Sequence, residues 1–182
     1  VQAIVKLCNR YGIQFKASST GWGSMSNPGG PSVVKMDLRR MNRILEINEE
    51  NMYAVVEPYV ISVQLQAELM KRGLNCNIIG AGSNCSALPL AAHAGLGHLS
   101  QSGSYGERNQ LALEWVTPDG EIVRLGSLGS IGEWFCGDGP GPSLRGIIRG
   151  NTVPLGGLGV YTKAATKVYH WPGPSTFPIK GV

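Results

Sequence analysis

Apolar side chains recur at Val1, Ile4, Val5, Leu7, Cys8 and Tyr11, the three-to-four spacing of a helix with one buried stripe. Phe15 then opens a short strand that runs into a loop of small residues, Lys16-Ala17-Ser18-Ser19-Thr20-Gly21-Trp22-Gly23-Ser24. Alternation predicts strands over 32–37, 44–47 and 52–57. Leu38 to Met41 turns the chain after the first of these, and Asn48-Glu49-Glu50-Asn51 joins the other two as a hairpin. Ser62 reads as the N-cap of a helix over 63–71, with Leu65, Leu69 and Met70 on its apolar face and Gly73 as its stop. A weaker helix is predicted over 84–93, interrupted near Pro89. Strands over 111–116 and 121–125 flank the turn Thr117-Pro118-Asp119-Gly120, a short helix is predicted over 143–148, and 160–170 reads as one long half-polar strand. Helix and strand alternate at first and strands dominate later. That order predicts an α+β fold with two lobes.

The Ser/Gly loop after Phe15 is where chemistry first enters. Small side chains let successive backbone N–H groups converge on an anion. Gly21 and Gly23 can take positive φ cheaply, and Ser18, Ser19 and Thr20 add hydroxyl donors. The loop is not the dinucleotide fingerprint, because Ser26 stands where Gly21-x-Gly23 would need a glycine or alanine, and no Gly-Lys-Ser/Thr follows to make a Walker loop. Taken alone, such a loop is more often a plain connection than a phosphate site. The motifs downstream change that weighting.

By residue 60 the chain resembles the FAD-binding, PCMH-type domain of the vanillyl-alcohol oxidase flavoprotein family. The resemblance rests first on Tyr11-Gly12-Ile13-Gln14-Phe15 and the loop Lys16 to Gly21. It continues with Val34-Lys35-Met36-Asp37-Leu38-Arg39-Arg40-Met41-Asn42-Arg43-Ile44-Leu45-Glu46-Ile47-Asn48 and Ala54-Val55-Val56-Glu57-Pro58-Tyr59-Val60. Later, Leu113 to Val123 is similar to the family's L-E-V-V-L-P-D-G-E-V-V hairpin, and Gly156-Gly157-Leu158-Gly159-Val160-Tyr161-Thr162-Lys163-Ala164 to its E-G-T-L-G-I-I-T-x-A segment. The tone is that of the glycolate oxidase and D-lactate dehydrogenase branch. The loop departs from the pattern in carrying Ala17, Ser18 and Ser19 where glycines are usual. It has no histidine, so the resemblance implies non-covalent FAD as far as this loop is concerned. The stretch from Gly137 to Gly150 is an insertion whose role the pattern does not assign.

The resemblance implies that FAD lies between a small lobe, residues 1–60, and a larger lobe, residues 61–172, with 173–182 a linker towards a cap domain. It places cofactor contacts at Ala17, Ser18, Ser19, Thr20, Gly21 and Trp22. A second set falls at Gly82, Ser83 and Ala87, although the acidic residue and prolines usual in that segment are missing. Further contacts are implied at His98, at Tyr105 and Gly106 of Gly103-Ser104-Tyr105-Gly106-Glu107-Arg108, which resembles the family's Y-G-x-x-R-D corner, and at Gly159 and Val160. His93 and His98 lie five residues apart but have no carboxylate or cysteine nearby in the manner of a zinc motif, so no metal is expected. His170 reads as structural or surface. No Ser-His-Asp or Cys-His arrangement is legible, and Glu49-Glu50 reads as a solvated pair, so no catalytic residue is named within this chain.

The resulting expectation is an FAD-linked oxidoreductase, with hydride passing from a small substrate, a 2-hydroxy acid in the first instance, to flavin N5. Its alternatives are a non-catalytic FAD-binding or electron-transfer subunit of a larger complex, or a nucleotide-binding module without flavin. An electron-acceptor protein is the expected macromolecular partner, and oligomerisation is expected to run through regions outside this chain.

Bulk properties fit that expectation without sharpening it. The 182 residues are 42% hydrophobic and 15% charged, a globular balance. The net charge of +4 comes from scattered basic residues, with Arg39-Arg40 and Lys71-Arg72 as the only pairs. That reads as a solvated surface with a modest field for an anionic cofactor, not a nucleic-acid platform. Cys8, Cys76, Cys85 and Cys136 show no C-x-x-C spacing. They read as reduced thiols in a cytoplasmic protein, with a Cys76–Cys85 bridge considered and set aside. No apolar run reaches the roughly 18 residues of a membrane span, and no signal peptide is visible. Helical spacing begins at Val1 with no N-cap before it, so the chain is expected to be cut from a longer polypeptide. Trp171-Pro172-Gly173-Pro174 reads as an interdomain boundary.

Overall fold

The computed structural model describes residues 1–22, 27–78, 80, 82–88, 98, 101, 109–135 and 158–174. Helix α1 (Gln2–Arg10) buries Val5 and Cys8, as its spacing requires. It leads into β1 (Phe15–Ser18), which pairs in parallel with β2 (Val34–Asp37) to form a two-stranded sheet. Parallel strands need a crossover rather than a tight turn. The Ser/Gly loop is the first part of that crossover.

The larger sheet contains β3 (Ile44–Asn48), β4 (Tyr53–Val56), β6 (Gln110–Val116), β7 (Ile122–Leu125) and β8 (Val160–His170), in the order β3-β4-β8-β6-β7. A short strand, β5 (Leu74–Cys76), pairs with the far end of β8. All of these pairings are antiparallel. The length of β8 follows from its position, since it serves β4, β6 and β5 at once. The two sheets divide the chain between β2 and β3. The hairpin of residues 44–56 therefore belongs to the larger sheet.

Helix α2 (Ser62–Met70) covers one face of the larger sheet. Leu65 and Leu69 pack there with Ala54, Val56, Val60, Leu74, Cys76, Ala87 and Val168. The other face buries Tyr53, Val55, Leu111, Ala112 and Ala165 under Leu128 and Trp134. A third cluster joins the two sheets: Val5 of α1, Met36 of β2 and Leu38 pack on Val116 and Val160 at the ends of β6 and β8. The β6–β7 turn clasps α1 from outside. Gln2 Nε2 donates to Gly120 O (2.8 Å), Asn9 Nδ2 donates to Pro118 O (2.8 Å), and Lys6 pairs with Glu121 (2.9 Å). These contacts and the third cluster hold the small sheet, and hence the loop, in a defined place.

A row of alternating charge crosses the larger sheet, one residue per strand. Arg43, just before β3, forks onto Glu57, just after β4, with Nη2 at 2.8 Å and Nε at 3.2 Å. Register then sets Glu57 opposite Lys163 of β8, because Val56 faces Ala164. Lys163 Nζ reaches Glu114 of β6 at 2.9 Å, and Arg124 Nε of β7 reaches the same carboxylate at 3.2 Å. The Arg43 hydrogen bond holds the Glu57 pKa below the ordinary glutamate value against the effect of burial. Burial pulls the Glu114 pKa up. Lys163, Arg124 and Thr162 together outweigh it and leave the carboxyl below its ordinary value.

Two sequence readings are corrected here. Ser62 is the first residue of α2 rather than its cap: Ile61 is the N-cap, and the Ser62 hydroxyl donates to Cys85 O at 3.1 Å. The helix expected over 84–93 is not helical over 84–87, where Ser86 forms an antiparallel bridge with Ile61; Leu88 is in a 3-10 turn, and 89–93 lie outside the described residues. The helix expected over 143–148 lies outside the described residues. Strand β5 was not foreseen. Cys8, Cys76 and Cys85 are free and buried. No helix among the described residues is long and apolar enough to cross a membrane.

Candidate functional site

The loop after β1 is anchored at its base and open at its tip. Ser18 is buried at the end of β1, and its carbonyl accepts the Leu38 amide at 3.0 Å. Beyond it the amides of Ser19, Thr20, Gly21 and Trp22 donate to no other described residue. Gly21 has φ +79°, and a Cβ built there meets no atom within 4 Å. The glycine is needed for its backbone conformation, and no described residue fills the space before it. Successive unpaired amides around a positive-φ glycine are the elements of an anion nest.

A second segment, residues 82–88, faces this loop. The Thr20 hydroxyl oxygen accepts the Ser86 amide at 3.3 Å. Two atoms of the Trp22 ring lie 3.8 Å from where a Cβ on Gly82 would sit, and Gly82 itself has φ +140°. Ser86 holds the segment down. Its buried hydroxyl donates to Pro58 O (2.6 Å) and accepts the Leu88 amide (3.1 Å). The segment is also sewn to α2, with Val63 N donating to Ser83 O and Ala87 N to Val60 O. Because the Thr20 oxygen already accepts the Ser86 amide, its own proton is left to donate elsewhere.

The third wall is the start of β8. Gly159 has φ +105°, and a Cβ there would come 2.1 Å from Val116 O and 2.8 Å from Trp115 Nε1. Trp115 Nε1 also donates to Leu158 O at 2.6 Å, which fixes the turn into β8. Val160 is buried in the cluster that Ala17 packs against. The β8 start and the loop base thus share one core.

The expected cofactor residues fall into groups. Trp22 meets Gly82 directly and Thr20 meets Ser86, with Ser19 and Gly21 between or beside the two on the loop. Ser83 is exposed beside them, with its carbonyl engaged by α2. The side chains of Ala17, Ala87 and Val160 point into cores, so only their backbones could face a ligand. His98 is bound to Ile78. Its Nδ1 accepts the Ile78 amide and its own amide donates to Ile78 O, both at 3.0 Å. That bond leaves the ring proton on Nε2. Tyr105 and Gly106 lie outside the described residues. Ser86, Trp115 and Tyr161 were not singled out from sequence. Ser86 sits in a segment of helix-like spacing, and the role of Trp115 depends on a residue 43 positions away.

Among the described residues no group of His, Cys, Asp or Glu could hold a metal ion. Amides and a hydroxyl proton with no acceptor among the described residues, together with glycine-lined walls, suit a ligand with a phosphate group and an extended body.

Comparison with known proteins bears directly on that ligand. A family model described as "FAD binding domain" matches residues 1–126. The chain is 32% identical over 169 residues to 1'-carboxy-chondrochloren decarboxylase of Chondromyces crocatus, covering 85% of this chain and 30% of that one. It is 31% identical over 162 residues to the flavoprotein subunit of 4-cresol dehydrogenase [hydroxylating] of Pseudomonas putida, covering 81% and 29%. Its fold superposes on 4-ethylphenol oxidase of Gulosibacter chungangensis, solved with isoeugenol, with a TM-score of 0.76 and 28% identity over 93% of this chain and 32% of that one. The chain spans under a third of the length of each of these relatives.

Proposed function

The chain belongs to the FAD binding domain family, and on that footing we propose that it is the cofactor-holding part of an FAD-linked oxidoreductase. The observation that carries this reading is the run of amides from Ser19 to Trp22 that donate to no other described residue, set opposite Gly82 by the Thr20–Ser86 hydrogen bond. In this reading those amides and the Thr20 hydroxyl hold the diphosphate bridge. Gly82, Ser83 and the backbones of Ala87, Gly159 and Val160 border the rest of the cofactor. His98, Tyr105 and Gly106 complete the proposed set. FAD is held without a covalent bond from the loop, which has no histidine. Bound FAD supplies a two-electron acceptor. What this chain's own residues do is bind it, orient it and keep water from it.

The whole enzyme's substrate is proposed to be a small molecule. The 2-hydroxy acid class comes from the branch resemblance, and the names of the cresol dehydrogenase and ethylphenol oxidase relatives put an alkylphenol beside it. Catalytic acid–base groups are proposed to come from a cap domain following this one. A second reading, an electron-transfer flavoprotein subunit working with an acceptor protein, is favoured by the "flavoprotein subunit" in the name of the cresol dehydrogenase relative. The three buried free thiols support a reducing, cytoplasmic setting.

The test is reconstitution. The purified chain is incubated with FAD, desalted and scanned. Retention of a flavin band near roughly 450 nm is expected; a colourless protein overturns the proposal.

A further inference from the structure

Ser86 is fully buried although its side chain is polar. Its hydroxyl donates to Pro58 O at 2.6 Å and accepts the Leu88 amide at 3.1 Å. Neither Pro58 O nor the Leu88 amide has another hydrogen-bond partner among the described residues. One hydroxyl therefore satisfies two buried backbone groups, one in the chain that leaves β4 and one at the end of the segment that faces the loop.

The backbone of Ser86 is aimed as firmly as its side chain. In its antiparallel bridge with Ile61 the flanking residues carry the bonds: Ser62 N donates to Cys85 O at 2.8 Å and Ala87 N to Val60 O at 2.7 Å. The Ser86 amide consequently points away from Ile61, and it donates to Thr20 Oγ1 at 3.3 Å. Without the Ser86 hydroxyl, Pro58 O and the Leu88 amide would be buried and unpaired, a costly state that the segment relieves by shifting. A shifted segment turns the Ser86 amide off Thr20 and leaves the Thr20 hydroxyl free to rotate.

We infer that Ser86 is a positioning residue for the phosphate loop: its hydroxyl holds the 82–88 segment in the one place from which its amide orients the Thr20 hydroxyl, and so keeps the Thr20 proton for a ligand's phosphate. This rests on the proposed FAD site. It adds to that site a residue whose side chain acts through Thr20 and not by a ligand contact of its own.

The experiment is a double-substitution cycle of S86A and T20V in the same chain, with FAD and ADP titrated separately by calorimetry, well below the melting temperature of each variant. S86A alone is expected to weaken both ligands alike, by about fivefold. In the T20V background the same substitution is expected to cost less than about twofold, because the bond through which it acts is already gone. A loss that persists in full beside T20V overturns the inference, since Ser86 then acts on the fold and not through Thr20. So does an S86A chain whose affinity for FAD stays within about twofold of the unsubstituted one. Should S86A not fold, S86C takes its place, because a thiol is a weak donor and a weak acceptor. The same pattern with a smaller loss is then expected, and either no loss or one undiminished beside T20V overturns the inference. If the unsubstituted chain binds neither FAD nor ADP, the reading of the site fails first and the inference falls with it. If it binds both and the two substitutions act independently, the inference alone fails.

Discussion

Thr20 and Ser86 stand 66 positions apart in sequence, yet the Ser86 amide donates to the Thr20 hydroxyl oxygen at 3.3 Å. This bond makes one unit of the open loop and the segment sewn to α2. It also fixes which way the Thr20 proton can point. T20V removes both the acceptor and the donor while keeping the side chain's shape. We expect T20V to weaken FAD binding about tenfold, the worth of one to two hydrogen bonds, and T20S to keep most of the affinity. Calorimetric titration of the two variants checks this. Equal affinities for T20V and T20S would remove Thr20 from the site.

Two glycines with positive φ should respond to substitution in opposite ways. Gly159 is confined: an added Cβ would strike Val116 O, a backbone atom that cannot step aside. G159A should lose about 2–4 kcal/mol of stability in urea unfolding, the range of overpacking combined with backbone strain. Gly21 is unconfined by the described residues, none of which has an atom within 4 Å of its would-be Cβ. G21V should cost only about 1–2 kcal/mol, the penalty of a left-handed residue, while abolishing FAD retention. A G21V chain that keeps its flavin would contradict the nest.

The charge row predicts a specific acid response. The pKa values of Glu57 and Glu114 both lie below the ordinary glutamate value in the folded protein. As pH falls through about 4.3, the unfolded chain takes up those protons first. Their contribution is therefore fully present at neutral pH and is lost as pH drops through the lowered folded values. E57Q places an amide donor against the Arg43 guanidinium. It should cost about 1–2 kcal/mol at pH 7, less than a fully buried pair because Arg43 is largely in water. Its stability should also fall less steeply than that of the unsubstituted chain below about pH 4.5. Urea unfolding between pH 3 and pH 7 measures both effects, and parallel curves would exclude the row as a source of acid sensitivity.

Much of the larger sheet was legible because its signals are local. The strand over 160–170 is one long half-polar run with no breaker in it, and the hairpin of residues 44–56 carries its own turn. The elements that escaped depend on distant partners. β5 is a short strand that exists because β8 runs long enough to pair with it. Ser62 has the look of a helix cap, yet its hydroxyl goes to Cys85 O, 23 positions on. Ser86 lies in a stretch whose apolar spacing mimics a helix, while its hydrogen bonds to Thr20 and Pro58 require an extended segment. At the candidate site, Trp22 and Gly82 were named from motifs and lie side by side, while Thr20, also named, meets Ser86, which was not. Ala17, Ala87 and Val160 turn their side chains to the core, a distinction that motif order cannot make.

The central claim is that the amides from Ser19 to Trp22 grip a diphosphate. The most direct measurement compares the affinities of FAD, ADP and riboflavin for the unsubstituted chain. The account predicts that FAD binds tightest, that ADP retains measurable affinity, and that riboflavin, which lacks the diphosphate, binds at least about a hundredfold more weakly than FAD, since charge-assisted bonds to phosphate are the strong ones. Riboflavin binding as tightly as FAD would contradict it.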